Sequence, residues 1–214
     1  MKGISTILWD VGGVLLTNAW DHQQRTAVLT RFGLDRVDFE LRHAELAELW
    51  ERDEVSVDEY LQHTVFFEPR PFSRTEFLDA VRAESAILPD SALGILRQLA
   101  ASEQYVLATV NNESRSMNES RLSEFDLTDL FSAFFTSCYL GVRKPDRRIY
   151  QIALDVLQRD PEEVVFVDDR PENVAAADSL GIHAIRYEGS SQLSDELTRL
   201  GVFLERDGAN LLRA

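Results

Sequence analysis

Short apolar runs alternate with amphipathic stretches through the second half of the chain. Four runs have the pattern of strands buried on both faces of a parallel sheet, at Tyr105–Thr109, Phe134–Ser137, Val164–Val167 and Ile182–Arg186. Helical spacing appears at residues 113–125, 146–157, 172–180 and 193–200, and before them in a helix capped by Asp90 or Ser91 that runs to Leu99. Strands that alternate with helices predict a doubly wound, parallel α/β sheet.

The segment between residues 17 and 88 has a different pattern, with helical spacing and no convincing strand. Phe39, His43 and Trp50 fall on one face of a predicted helix, which places His43 in the core of this segment. Ser56 and Ser73 each stand three residues before a glutamate, the capping-box pattern that opens a helix. We therefore predict a Rossmann-like core formed by residues 1–16 and 89–214, with a helical cap inserted at 17–88.

The composition is that of an ordinary globular protein, with 44% hydrophobic and 28% charged residues among 214. The formal net charge of −15 argues against nucleic acid and anionic membrane surfaces as partners. Cys138 is the only cysteine, which excludes an internal disulfide, and no apolar run is long enough to span a bilayer. We expect a cytoplasmic enzyme, with residues 205–214 as a loosely held tail.

Two predicted strands end abruptly in carboxylates. The first strand, over residues 4–9, is followed by Asp10, and the run that begins at Val164 is followed by Asp168 and Asp169. Ligands of open α/β sheets bind at the carboxyl ends of the strands, and carboxylate oxygens suit a hard cation such as Mg²⁺. The Gly12–Gly13 pair allows the backbone to approach a ligand closely. The pattern points to metal-assisted chemistry on a phosphate.

Four segments, in this order, resemble the motifs of the haloacid dehalogenase-like (HAD) hydrolase superfamily. They are Asp10–Leu15 (DVGGVL), Val106–Asn112 (VLATVNN), Arg143–Asp146 (RKPD) and Val167–Asn173 (VDDRPEN). The first is an Asp-x-Gly variant of its motif, and the helical insertion resembles the cap of subfamily I. The resemblance implies an Mg²⁺-dependent phosphatase that works through an aspartyl-phosphate, although other members are dehalogenases, phosphonatases or mutases.

The resemblance also implies roles for the residues around the metal. Asp10 would be the nucleophile, and the ligands of Mg²⁺ would be the Asp10 and Asp169 carboxylates and the Gly12 backbone carbonyl. Asp168 would orient a metal-bound water from outside the coordination shell. Asn173 would either hold the acidic loop or cap its helix.

A second group of residues would bind the phosphate. Lys144 would act as a point charge that pairs with the nucleophile and with the phosphate. The backbone N–H groups of Val11 and Gly12 would cradle phosphoryl oxygens. Asn111 and Asn112 would supply amide donors.

Two positions depart from the pattern of the family. Most of its phosphatases carry a second Asp two residues after the nucleophile, which protonates the leaving group and activates water, and here that position is Gly12. General acid–base catalysis contributes roughly 10²–10⁴-fold, so we expect slow turnover on poor leaving groups. Some Asp-x-Gly members resemble sugar-phosphate phosphatases, so the loss does not exclude catalysis. The alignment also places Val110 where a Ser or Thr hydroxyl would bind the phosphate.

Three functions stay open at this point. The first is an Mg²⁺-dependent hydrolase of small phosphomonoesters, sugar phosphates among them, that acts on a small phosphorylated metabolite as a monomer or homodimer. The second is a catalytically weakened protein that binds a phosphorylated metabolite or a protein partner, because Gly12 and Val110 remove two useful groups. A minor third is a 2-haloacid dehalogenase, which would need an aromatic residue at position 12 and no metal.

Overall fold

A five-stranded parallel sheet lies at the centre of the computed structural model, which describes residues 3–203. The strands are β1 (Thr6–Trp9), β2 (Val106–Asn111), β3 (Ala133–Thr136), β4 (Val164–Asp168) and β5 (His183–Arg186). Their order is β3-β2-β1-β4-β5, and each neighbouring pair is parallel. The predicted Rossmann-like α/β fold is confirmed. The tail predicted from residue 205 lies outside the described residues.

Helices cover both faces of this sheet and form a separate group between the first two strands. Four of them follow β1, namely α1 (His22–Arg31), α2 (Arg36–Glu51), α3 (Val57–Thr64) and α4 (Arg74–Arg82). The others are α5 (Leu93–Ser102), α6 (Arg115–Glu124), α7 (Ser137–Leu140), α8 (Arg147–Leu157), α9 (Pro171–Asp178) and α10 (Ser190–Arg199). Within residues 3–203, no helix is long and apolar enough to cross a membrane.

Strand β1 is buried on both faces because successive side chains point to opposite sides of the sheet. Ile7 and Trp9 pack in an apolar cluster with residues of α5 and α10, whereas Leu8 packs in a second cluster with residues of α8. All four residues of β1 are buried, which explains the continuous apolar run in the sequence. The two clusters hold rigid the strand that Asp10 follows.

Residues 17–88, which contain helices α1–α4 and are here called the four-helix segment, have an apolar cluster of their own. Its buried residues include Phe39, Tyr60 and Phe77. Ser56 and Ser73 both form the predicted capping boxes, at the starts of α3 and α4. The division of the chain at residues 17 and 88 stays a prediction, although the described chain has no strand between β1 and β2.

Helix boundaries differ from the predictions by up to three residues. Helix α5 begins at Leu93 after an Ala92 cap, and Ser91 contributes through its Oγ, which accepts from the Leu93 N–H at 3.1 Å. Helix α10 begins at Ser190 rather than at residue 193. Its apolar pattern starts at Leu193 because periodicity marks the buried face of a helix, not its first turn. Helix α9 ends at Asp178, two residues earlier than predicted.

The central position of β1 gives a test of the core. Leu8 is fully buried, so we expect Leu8→Ala to lower the free energy of unfolding by about 2–5 kcal/mol through lost burial and a cavity. Leu41→Ala is the matched control, since Leu41 is 66% exposed on α2 and should change stability by about 0.5 kcal/mol at most. Urea unfolding of both variants measures the difference, and equal losses would show that β1 is not central to the core.

Candidate active site

Three carboxylates meet at the carboxyl edge of the sheet. Asp10 follows β1, Asp168 ends the neighbouring strand β4, and Asp169 comes next. One carboxylate oxygen from each lies within 4.8 Å of the other two. Asp168 is fully buried and Asp10 is 6% exposed. The sequence prediction that two strands deliver these acids to one place is therefore matched by the geometry.

Lys144 supplies positive charge to this cluster. Its Nζ lies 2.9 Å from Asp10 Oδ1 and 2.7 Å from Asp168 Oδ2, and the side chain is buried. Burial lowers the pKa of Lys144, but the two carboxylates more than offset this effect, so its pKa lies above the ordinary value. The lysine therefore stays protonated and binds two strands together.

Asp168 is held from three sides. Besides Lys144, its carboxylate accepts from Asn173 Nδ2 at 3.0 Å on both oxygens and from the Arg170 N–H at 2.8 Å. Of the two roles left open for Asn173, the structure therefore favours holding the acidic loop, because the N-cap position of α9 is occupied by Arg170. A carboxylate with so many partners has a fixed orientation.

The end of β2 approaches the site through two asparagines. Asn112 clamps the Lys144 backbone: its Nδ2 donates to the Lys144 carbonyl at 2.9 Å, and its Oδ1 accepts from the Lys144 N–H at 2.8 Å. Asn111 is buried and lines the cavity. Val110 is fully buried in the core cluster of the α8 face and does not line the cavity. Phosphate binding by Asn111 and Asn112 stays a prediction.

The loop after β1 brings backbone close to the carboxylates. The Val11 N–H donates to Asp10 Oδ1 at 2.8 Å. Gly13 has a φ of +75°, and a Cβ built on it would lie 2.2 Å from Asp169 Oδ2. Only glycine fits here, because any side chain would displace Asp169 and because the left-handed conformation is strained for other residues.

The residues of this cluster fit a divalent cation. Three carboxylates face one ammonium, so the formal charge of the group is −2 when all are ionised. Burial raises the pKa of Asp10 to about 7, and burial together with the Asp168 carboxylate also raises the pKa of Asp169. Asp169 Oδ1 is buried without a hydrogen-bond partner. A bound Mg²⁺ would balance the excess charge and use this free oxygen.

Gly12, where the family pattern has its acid, contacts a side chain from the start of the four-helix segment. A Cβ built on Gly12 would lie 2.6 Å from Oδ1 of Asn18. The space beside Gly12 is thus already used by an amide. The side chain beside Gly12 is therefore an amide, which cannot act as the acid of the family pattern.

A cavity of about 530 Å³ lies beside Asp10 and Lys144, between the sheet edge and the four-helix segment. The sheet side contributes Asp10, Asn111, Asn112, Lys144 and Asn173, and the four-helix segment contributes Trp20, Arg25, His43, Ala44, Ala47, Trp50 and Glu51. His43 was predicted to lie in the core of the segment, and this was wrong, because it is only partly buried and lines the cavity. Helical periodicity could not separate a core face from a cavity wall.

Ionic contacts join the four-helix segment to the core around this cavity. Arg143 Nη1 lies 2.6 Å from Glu48 Oε1, and Arg143 Nε lies 2.8 Å from Glu51 Oε2, an ion pair without hydrogen-bond alignment. Sequence reasoning also missed a buried pair, in which Arg121 Nη1 donates to Glu113 Oε2 at 2.9 Å. Arg143 and Glu48 are 95 residues apart, and Glu113 lies before the helix that carries Arg121, so no helical spacing signals either pair.

Curated relatives of the chain include phosphate-ester hydrolases. It is 30% identical over 146 residues to a flavin mononucleotide hydrolase of Arabidopsis thaliana, and the aligned region covers 68% of this chain and 58% of that protein. It is 29% identical over 196 residues to a sesquiterpene phosphatase of Aspergillus oryzae, and this alignment covers 90% of this chain and 94% of that protein. The chain therefore spans less than two thirds of the first relative and nearly all of the second.

Solved structures share the fold. A HAD family enzyme from Bacteroides thetaiotaomicron, solved in complex with magnesium and inorganic phosphate, superposes on this chain with a TM-score of 0.75 at 20% identity. The superposition covers 99% of this chain and 100% of that enzyme.

The sequence profile of haloacid dehalogenase-like hydrolases matches residues 4–181. The chain belongs to the haloacid dehalogenase-like hydrolase family.

Proposed function

We propose that the protein is an Mg²⁺-dependent hydrolase of small phosphomonoesters that works through an aspartyl-phosphate. The observation that carries this proposal is the cluster of Asp10, Asp168 and Asp169 around a single lysine, with Asp169 Oδ1 left without a partner. The resemblance to a HAD enzyme solved with magnesium and phosphate, and to two hydrolases of phosphorylated compounds, supports the same chemistry. Bound Mg²⁺, held by Asp10, Asp169 and the Gly12 carbonyl, would neutralise phosphate charge and align the reacting groups.

Asp10 would carry the covalent step. One oxygen of its carboxylate attacks phosphorus, and the bond from phosphorus to the leaving alcohol breaks as the new bond forms. Lys144 and the Val11 N–H both bind Asp10 Oδ1, which fixes the carboxylate for this attack. Water then attacks the phosphorus of the aspartyl-phosphate and releases inorganic phosphate, which restores the Asp10 carboxylate. Asn173 and Lys144 keep Asp168 in place throughout.

The leaving alcohol has no acid at position 12, so its proton comes from the solvent. This favours substrates whose alcohol leaves easily and slows those with a high-pKa alcohol. The size of the cavity, about 530 Å³, suits a small substrate in the range typical of ligand sites. The four-helix segment would act as the cap that covers the substrate and selects it.

The alternative of a catalytically weakened binding protein has one observation in its favour. Position 12 is glycine, so the acid of related phosphatases is absent, and the Asn18 side chain fills the space where that acid would begin. Such a protein would bind phosphate and Mg²⁺ but would not release phosphate from an ester. The dehalogenase alternative is less well supported, because three clustered carboxylates suit a cation better than a halide.

Removal of the nucleophile tests the proposed reaction. We expect wild-type protein to release phosphate from aryl, acyl and sugar phosphates only with Mg²⁺, fastest from aryl and acyl phosphates because their leaving groups need no acid. Asp10→Asn should reduce this release to background, because an amide does not attack phosphorus. A phosphate-release assay with and without Mg²⁺ measures both. Activity that survives in Asp10→Asn would disprove the mechanism, and inactive wild-type protein that still binds phosphate would favour the binding protein.

The close approach of Gly13 to Asp169 tests the metal site separately from catalysis. Gly13→Ala should weaken Mg²⁺ binding roughly 10–100-fold, the size of effect seen when the support of a metal ligand is lost, because the new Cβ displaces Asp169. Gly33→Ala is the matched control: Gly33 also has positive φ, +62°, but no atom lies within 4 Å of its Cβ position. Both variants should lose about 1–2 kcal/mol of stability from backbone strain. Titration calorimetry with Mg²⁺ gives the affinities, and equal binding by the two variants would remove Asp169 from the metal site.

A further inference from the structure

His43 is the one imidazole on the wall of the cavity among the described residues. It lies on α2, and its ring stacks on the ring of Phe39, with the two centroids 5.9 Å apart. The reaction proposed above does not use it. Its hydrogen bonds, however, fix which of its two ring nitrogens carries the proton.

A hydrogen-bonded relay from inside the four-helix segment ends at His43. Trp20 Nε1 lies 2.8 Å from the Tyr60 hydroxyl, and the same hydroxyl lies 2.7 Å from His43 Nδ1. An indole N–H can only donate, so the Tyr60 oxygen accepts from Trp20. Tyr60 is 1% exposed, and a buried hydroxyl needs an acceptor for its own proton. Among the described residues His43 Nδ1 is that acceptor, and the imidazole proton therefore sits on Nε2.

The charges around His43 also keep the ring neutral. Burial lowers its pKa to about 4, and Arg25 acts in the same direction against the weaker opposite effects of Glu40 and Asp21. Arg25 is itself held by Glu40, with two hydrogen bonds of 2.9 and 2.8 Å. At neutral pH the ring therefore carries one proton, on Nε2, and is a hydrogen-bond donor rather than an acid. A neutral imidazole does not replace the acid missing at Gly12.

We propose that His43 is a specificity-determining residue whose Nε2–H donates to an oxygen on the alcohol part of the substrate, and that the substrate is a phosphomonoester of a hydroxylated alcohol such as a sugar or polyol. This inference rests on the proposed phosphatase function. The rest of the cavity wall fits such a substrate, because Asn18, Glu48, Glu51 and Arg143 also line it. Ala44 and Ala47 leave room between these polar groups. A hydrocarbon alcohol would cover the Nε2–H of His43 without offering it an acceptor, which is unfavourable.

Kinetics of matched variants test the specificity. His43→Phe keeps the ring and removes the donor, so we expect KM for sugar phosphates to rise roughly 2–10-fold with little change in kcat, the size of effect of one neutral hydrogen bond. Phenyl phosphate, whose alcohol carries no further oxygen, should show unchanged KM. His63→Phe is the control, since His63 lies on α3, pairs with Glu45 at 2.7 Å and does not line the cavity. Thermal unfolding of each variant shows whether it is folded. If His43→Phe alone does not fold, the double variant His43→Phe/Tyr60→Phe replaces it, because it also removes the hydroxyl that would lose its acceptor.

Spectroscopy tests the relay without turnover. Long-range ¹H–¹⁵N correlation spectra of the wild-type protein, with His43 assigned from the variant, should show Nε2 protonated and Nδ1 unprotonated from pH 8 to pH 5. Tyr60→Phe removes the donor to Nδ1 and should give a mixture of tautomers. A ring protonated on Nδ1, or one charged at pH 6, would overturn the inference.

The kinetic outcomes separate the two proposals. If wild-type protein hydrolyses neither phenyl phosphate nor any sugar phosphate, the proposed function fails and the inference fails with it. If wild-type protein hydrolyses both and His43→Phe affects both equally or neither, the phosphatase function stands and His43 has no role in specificity.

Discussion

Two carboxylates, Asp10 and Asp168, share one buried ammonium group at the edge of the sheet, and a third, Asp169, lies beside them. The rest of the site is arranged around this excess of negative charge. Lys144 lies within 2.9 Å of Asp10 and within 2.7 Å of Asp168, so two negative groups compete for one positive group. A buried charge without a partner is strongly unfavourable, so the excess must be met by a bound cation or by a proton. Burial raises the pKa of Asp10 to about 7, and the Asp168 and Asp169 carboxylates act in the same direction against the opposite effect of Lys144.

Few residues are needed to keep these charged groups in position. Parallel strands bring Asp10 and Asp168 to the same edge, and the asparagines at positions 112 and 173 then fix Lys144 and Asp168. Each asparagine acts through its amide and adds no charge. Rigid polar support of this kind keeps charged groups close to one another when they would otherwise separate.

The sequence predicts the part of the site that lies on local patterns. An apolar run that ends in carboxylate marks a strand and its tip, which is why Asp10, Asp168 and Asp169 could be found and placed together. The order of the motifs led to the family in the same way. Helix starts were less well predicted, since α10 begins three residues before its first buried leucine.

Contacts between distant elements could not be predicted. Trp20, Tyr60 and His43 lie on separate elements of the four-helix segment, and only their packing shows that one hydroxyl joins all three. The same holds for Asn112, whose role toward Lys144 depends on a contact across 32 residues.

The Asn18 amide beside Gly12 has a consequence for the history of this chain. Its Oδ1 stands 2.6 Å from where a Cβ at position 12 would be, so an aspartate introduced there meets the asparagine before it meets a substrate. Return to the commoner form of the first motif thus depends on the state of residue 18. A side chain at position 12 is accommodated only if the Asn18 side chain turns to another rotamer. The two positions would be expected to vary together among relatives, as an epistatic pair across the junction of β1 and the four-helix segment.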